Sequence, residues 1–227
     1  MTARDQILAR VATNLRRGWG AGTAHAHRTP PRATPEAPSS MPPRERFTRE
    51  LEAVAGRVHA VRSDADAVEA VLGICAERRA PCVLAWYEEY VGLAGLRHAL
   101  FDGKVGYDTG WLPDGEPARA ERLASLGRIA VGVTGADAAI AESGTIVLLS
   151  GPGRPRLASL LPPVHVAVLR EDRLYASLPD LLAARPRLSD EGSNLVLITG
   201  PSRTADIEMT LTRGVHGPAE VHVVLVP

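Results

Sequence analysis

Two stretches of this 227-residue chain set polar and acidic side chains among glycines, inside runs that are otherwise apolar. The first is Gly132-Val133-Thr134-Gly135-Ala136-Asp137-Ala138-Ala139-Ile140-Ala141-Glu142-Ser143-Gly144-Thr145. Asp137 and Glu142 are its only acids, and their spacing fits neither one helical face nor one strand face. At the tip of a hairpin, Glu142 would project toward a cleft as a base, a nucleophile or a ligand orienter. Thr134, Gly135, Asp137, Ser143, Gly144 and Thr145 would add hydroxyl, carboxylate and backbone contacts to a ligand there. The second stretch is Gly200-Pro201-Ser202-Arg203-Thr204-Ala205-Asp206, followed by Gly214-Val215-His216-Gly217-Pro218. A buried strand over 195–199, a Gly-Pro turn and a helix opening at Ser202 would leave backbone N–H groups free at the helix start. Those groups and the helix dipole favour an anion. Gly200, Ser202, Arg203 and Thr204 would then hold a carboxylate or phosphate, with the Arg203 fork meeting a carboxylate bidentately. His216, flanked by glycines, is placed to move a proton near neutral pH.

Each of these residues also fits a purely structural role. Ser202 or Thr204 can cap the helix, with Asp206 and Glu208 complementing its dipole and one of them pairing with Arg203. Glu142 can sit solvated in a tight turn while Asp137 caps another, and His216 can bond a backbone carbonyl. His165 and His222 fall inside apolar strands and read as packed residues. His25 and His27 read as solvated, because H-x-H without a third nearby ligand is a weak metal signal. The 101–112 segment, FDGKVGYDTGWL, has three glycines with Tyr107 and Trp111, which suits a loop that closes on a ligand or meets a partner. Trp86-Tyr87-Glu88-Glu89 follows a strand end and is a further candidate cleft wall, and the basic Gly151–Arg156 loop is a weaker anion candidate.

The elements that must position these residues alternate. Ile7, Leu8, Val11 and Leu15 recur at helical spacing, so residues 1–17 form an N-terminal helix. Residues 18–43 are dense in Pro, Gly, Ala and Ser and read as a linker. Residues 44–227 form the main domain. Helices are expected over 43–55, 65–77, 117–126, 155–160, 178–184 and 205–211, with a helical stretch near 91–96 and a loop-rich section over 98–115. Strands are expected over 58–61, 82–85, 129–134, 164–169, 195–199 and 220–226, with a hairpin of 138–141 and 145–149. Strands separated by helices imply a largely parallel sheet with covered faces, an α/β fold.

Composition narrows the function. Basic and acidic residues balance at 26 each, which leaves no electrostatic footprint for nucleic acid. No apolar run reaches the roughly 18 residues of a membrane span, and the N-terminus lacks the apolar core of a signal peptide. Cys75 and Cys82 are the only cysteines, so the chain cannot itself supply four thiolates to an iron–sulfur cluster. They read as small packed residues in a reducing, cytoplasmic compartment. Gly132-Val133-Thr134-Gly135-Ala136-Asp137 is not a dinucleotide fingerprint, and the Gly200 loop lacks the Lys of a P-loop.

The blocks GVTGADAAIAESGT, LPPVHV, GPSRTADIE and GVHGP, in this order, resemble the lactate-utilization protein C family (LutC/YkgG), whose core is the LUD domain. The resemblance covers the chain from about Arg44 to the end. It implies a Rossmann-like three-layer α/β/α fold, similar to the NagB/RpiA/CoA-transferase-like superfamily. It also implies an accessory subunit in the oxidation of L-lactate to pyruvate, binding an organic anion or assembling with separate iron–sulfur subunits. This chain itself would hold no cofactor. A rival reading is an independent transferase or isomerase on a CoA ester or sugar phosphate, with Glu142 as nucleophile or base. A third is a ligand-sensing module that uses the same cleft without a catalytic acid.

Overall fold

The computed structural model describes residues 3–20, 40–205 and 211–227. Two units are separable, 1–40 and 41–227. The first consists of α1 (Ala3–Gly20), which runs on past the expected end at residue 17. Its apolar face, Ile7, Leu8 and Val11, is exposed. Most of the expected linker lies outside the described residues.

The second unit begins with α2 (Pro43–Ala53), which has Pro43 at its first position, where a missing N–H costs nothing. It continues through β1 (Arg57–Ala60), α3 (Asp64–Glu77), β2 (Cys82–Ala85), α4 (Glu88–Val91), α5 (Leu96–Asp102) and β3 (Gly106–Asp108). Next come α6 (Ala118–Leu126), β4 (Val131–Gly135), β5 (Ala138–Ile140), β6 (Thr145–Ser150), α7 (Leu157–Leu160) and β7 (Val164–Arg170). The chain closes with β8 (Leu174–Tyr175), α8 (Leu178–Ala184), β9 (Asn194–Ile198), β10 (Arg203–Ala205), β11 (Leu211–Arg213) and β12 (Glu220–Val226). Ser63 caps α3 as expected, its hydroxyl accepting from the Asp66 N–H at 3.1 Å.

Six strands form one wholly parallel sheet in the order β1-β12-β7-β4-β2-β3. The central strands β4, β7 and β12 are buried nearly end to end, which is why they read as unbroken apolar runs. Helices flank the sheet: α7 lies over Gly132 on one face, and Arg78, just beyond α3, reaches Glu220 on the other. A second sheet, β8-β5-β6-β9, contains the expected hairpin as the antiparallel pair β5 and β6. It packs one face on the main core. Its other face carries a smaller apolar cluster of Ala138, Ile140, Val147 and Leu149 under Leu181 and Leu188.

Three expectations change. The helix over 205–211 is absent where the chain is described. Arg203–Ala205 and Leu211–Arg213 pair as antiparallel strands, and residues 206–210 lie outside the described residues. Thr204 and Thr212, both β-branched, stand opposite each other in the register of that pair, which suits extended backbone. The 195–199 segment is a strand but not a buried one, because β9 lies at the rim of the second sheet with Leu195 and Leu197 exposed. The 98–115 section is more ordered than a loop, since it contains the greater part of α5 and all of β3.

Candidate functional site

In an open parallel sheet, ligands bind beyond the carboxyl ends of strands where the connection direction reverses. Here that point lies between β2 and β4. The chain leaves β2 toward β3 on one side, and leaves β4 toward β7 on the other. At these carboxyl ends lies an open cleft of about 370 Å³ lined by Tyr87, Glu88, Glu89, Arg97, Tyr107 and Thr109. The Trp86 N–H donates to Val133 O at 3.1 Å, which fixes the end of β2 to β4. The Tyr107 hydroxyl donates to Trp86 O, and its burial pushes the phenol well above its usual value. The Arg97 guanidinium stands 5.9 Å from the Tyr107 ring centroid, while a Glu88 carboxylate oxygen accepts the Arg97 main-chain N–H at 3.0 Å. Arg122 grips Asp108 through two bonds of 2.6 and 2.7 Å, and this pins the segment after β3. Trp111 is nonetheless 69% exposed, and Tyr87 and Tyr90 are 46% and 41% exposed.

Asp137 supports this end of the sheet from below. Its carboxylate accepts the Leu149 N–H at 2.7 Å and pairs with Arg154 at 3.1 Å. Burial raises its pKa, and the Leu149 bond and the arginines oppose that rise. Arg185 donates to Asp137 O and Arg173 to Ala136 O, so three guanidinium groups converge on this junction. Arg154 also stands 5.1 Å from the centroid of the Tyr90 ring, so Asp137 positions an arginine that packs on α4. Gly135 is required here. A Cβ at this position would lie 2.1 Å from Tyr90 O, so only glycine lets α4 settle on the end of β4. Thr134, one residue earlier, is fully buried and bonds His165 Nε2 at 2.9 Å rather than facing the cleft.

The Glu142–Thr145 block lies at the far tip of the β5–β6 hairpin. Gly144 adopts φ +61°, and a Cβ there would meet Leu51 N at 2.3 Å, so the tip is pressed onto α2. Half-buried Glu142 accepts the Leu178 N–H at 2.9 Å, at the first turn of α8. That oxygen of Glu142 faces the start of α8, and Glu142 is not among the residues that line the cleft beyond β2 and β3. Ser143, Thr145 and Thr199 join in a chain of hydroxyl bonds of 2.7 Å each. This ties the tip to Gly200, which sits against Val54. Exposed Arg203 donates to Val54 O. The Ser202 N–H donates to Pro218 O at 2.9 Å, and Ser202 O accepts the Gly214 N–H at 3.1 Å. His216 is exposed on that same turn. The expected helix start at Gly200, Ser202, Arg203 and Thr204 is not what forms there: β10 begins at Arg203. The side-chain surroundings of Thr204 lie outside the described residues. The hairpin thus separates the expected site residues. Asp137 stands at its open end, and Glu142 to Thr145 stand at its tip with Gly200 and Ser202.

His165 and His222 are packed inside their strands, as their place in apolar runs implies. His165 is fully buried, its Nδ1 has no hydrogen-bond partner among the described residues, and burial holds its pKa down at about 3. His59 Nε2 and His222 Nδ1 are 2.9 Å apart, and His222 Nε2 lies 3.3 Å from Glu220, which pairs with Arg78 at 2.5 Å. Desolvation lowers both histidine pKa values. Cys75 is buried, and burial raises its thiol to about 11, which suits the packed role. Among the described residues, no three His, Cys, Asp or Glu side chains stand together as a metal site. No helix among them is long and apolar enough to cross a membrane.

Fold and site together define an α/β protein with an aromatic-walled cleft at the switch point of a parallel sheet. The LUD domain model matches residues 44–226, and the chain belongs to the LUD domain family. A "Lactate utilization protein C" of Exiguobacterium sp. is 41% identical over 120 residues, 51% of each chain. Another of that name, from Halalkalibacterium halodurans, is 33% identical over 163 residues, 70% of this chain and 68% of that one. The chain spans about half the length of several curated relatives it matches. A crystal structure of a DUF162 family protein from Deinococcus radiodurans superposes with a TM-score of 0.58 at 22% identity, over 82% of this chain and 96% of that one. The family resemblance and the α/β fold expected from the sequence both hold.

Proposed function

We propose that this chain is an accessory subunit in the oxidation of L-lactate to pyruvate, and that it meets the organic acid and separate iron–sulfur subunits at the cleft beyond β2 and β3. The composition of that cleft carries the reading: one guanidinium, Arg97, beside Glu88 and Glu89, with Tyr87 in the wall. The relatives named for lactate utilization supply the class of metabolite. Lactate and pyruvate carry one carboxylate, which a single guanidinium can hold through two parallel bonds. Two glutamates in the wall oppose any further negative charge. Unit charges 4 Å apart interact by about 4 kcal/mol at an effective dielectric of about 20. That opposition favours a monocarboxylate over a CoA pyrophosphate or sugar phosphate. The rival transferase reading also needs Glu142 free, and its carboxylate is engaged at the start of α8. Exposed Trp111 and Tyr90 supply the aromatic anchors typical of interface centres.

The test is lactate-dependent dye reduction by the iron–sulfur subunits, with and without this chain. The reading expects turnover to need the chain, and Trp111→Ala to weaken its half-saturating concentration by about tenfold or more. Partners that oxidise lactate at full rate unaided would remove the reading.

A further inference from the structure

Open sheet edges are normally made short, charged or covered, because a row of unpaired N–H and C=O groups invites another strand. Three of the four outer strands in the two larger sheets follow that rule. β8 has two residues; β3 has three and includes Asp108; β1 carries Arg57 and His59. β9 does not follow it. Its five residues, Asn194-Leu195-Val196-Leu197-Ile198, include no charge and no proline, and among the described residues it pairs on one side only, with β6. Leu195 and Leu197 are 37% and 47% exposed.

We infer that β9 pairs with β9 of a second copy of this chain, in an antiparallel, twofold-symmetric dimer. The choice of occupant rests on self-complementarity. An isologous contact brings each residue against its own strand. A strand carrying one sign of charge, such as β1 or β3, would meet that charge again; β9 has none to repel. With Val196 on the twofold axis, Leu195 of one copy stands opposite Leu197 of the other, on the same face. Every pair on that face is then Leu with Leu. The ladder completes the main-chain hydrogen bonding of the edge and joins two four-stranded sheets into one of eight. A five-residue strand spans roughly 17 Å, which buries less than the ~800 Å² per partner of a standard interface, so the dimer is of micromolar strength. The inference is independent of the cleft and of lactate.

Sedimentation velocity on the full chain from about 1 to about 200 μM tests it, over the range where a micromolar dimer dissociates. The expected result is a reversible shift from monomer to dimer. Leu195→Lys with Leu197→Lys changes only exposed side chains and should raise the dissociation constant at least about 100-fold, with the circular dichroism spectrum unchanged. Hydrogen exchange at the 194–198 amides should slow as concentration rises. A wild-type monomer throughout the range overturns the inference. A dimer that survives both lysines uses another surface and overturns it equally. Amides of β9 that are protected at every concentration would mean that another segment of the chain covers the edge, and would overturn it as well.

Discussion

Acid should unfold this protein through His165, and the size of the effect follows from where that ring lies. His165 is fully buried in β7 between β4 and β12, bonded to Thr134, and its folded pKa is about 3 against 6.5 when solvated. Its pKa is lowered on folding, so above 6.5 both states are neutral and the group contributes nothing to the pH dependence. As pH falls below 6.5 the unfolded chain takes up a proton that the folded chain refuses, and stability drops until pH reaches about 3. Each pKa unit corresponds to about 1.4 kcal/mol, so at pH 5, some 1.5 units below the solvated value, the loss from this residue is about 2 kcal/mol. His59 and His222 shift in the same direction and add to it. Asp137 acts with the opposite sign, because its raised pKa lets the folded state bind a proton first as pH falls. Comparing wild type with His165→Gln, which keeps a hydrogen-bonding group near Thr134, cancels those other contributions. Urea unfolding at pH 7, 6 and 5 should show wild type losing about 2 kcal/mol more than the variant between the end points. Parallel stability curves would refute the reasoning, as would a wild type whose stability holds or rises toward pH 5.

Other perturbations separate scaffold from site. Gly144→Ala combines a left-handed backbone with a methyl group driven into Leu51, and should cost about 3 kcal/mol, a fall of roughly 10 °C in Tm by calorimetry. Gly135→Ala should displace α4 from the end of β4, and intrinsic fluorescence of nearby Trp86 should change along with Tm. Glu142→Gln keeps an oxygen for the Leu178 N–H and should shift stability by less than about 1 kcal/mol, leaving lactate-dependent turnover of the reconstituted system intact; loss of turnover with an unchanged Tm would restore the transferase reading.

The parallel sheet was legible because its strands are apolar on both faces. VHVAVLR and EVHVVLV admit little besides buried strands, and the helices between them force parallel pairing. The ESG turn was legible as a hairpin tip, but its surroundings were not. Nothing in the local sequence tells that α2 covers Gly144 or that Glu142 faces α8. The 203–211 segment misled because Ser, Thr and Asp after a Gly-Pro turn are helix-start residues wherever pairing does not intervene, and here β10 pairs with β11. The cleft was partly visible as Trp86-Tyr87-Glu88-Glu89 after a strand end. Arg97 was missed because it lies in α5, in a stretch with no motif, and reaches the cleft only through the fold. The histidine contacts depend on register between strands far apart in sequence, which no spacing rule conveys.

Calorimetric titration of the purified chain tests most directly whether the cleft beyond β2 and β3 holds a monocarboxylate through Arg97. L-lactate and pyruvate should bind wild type in a saturable way, and Arg97→Ala should weaken them at least about tenfold, as expected for a lost charge-assisted pair, with Tm unchanged. Equal affinity in the two proteins, or tighter binding of CoA or a sugar phosphate than of either acid, would contradict it.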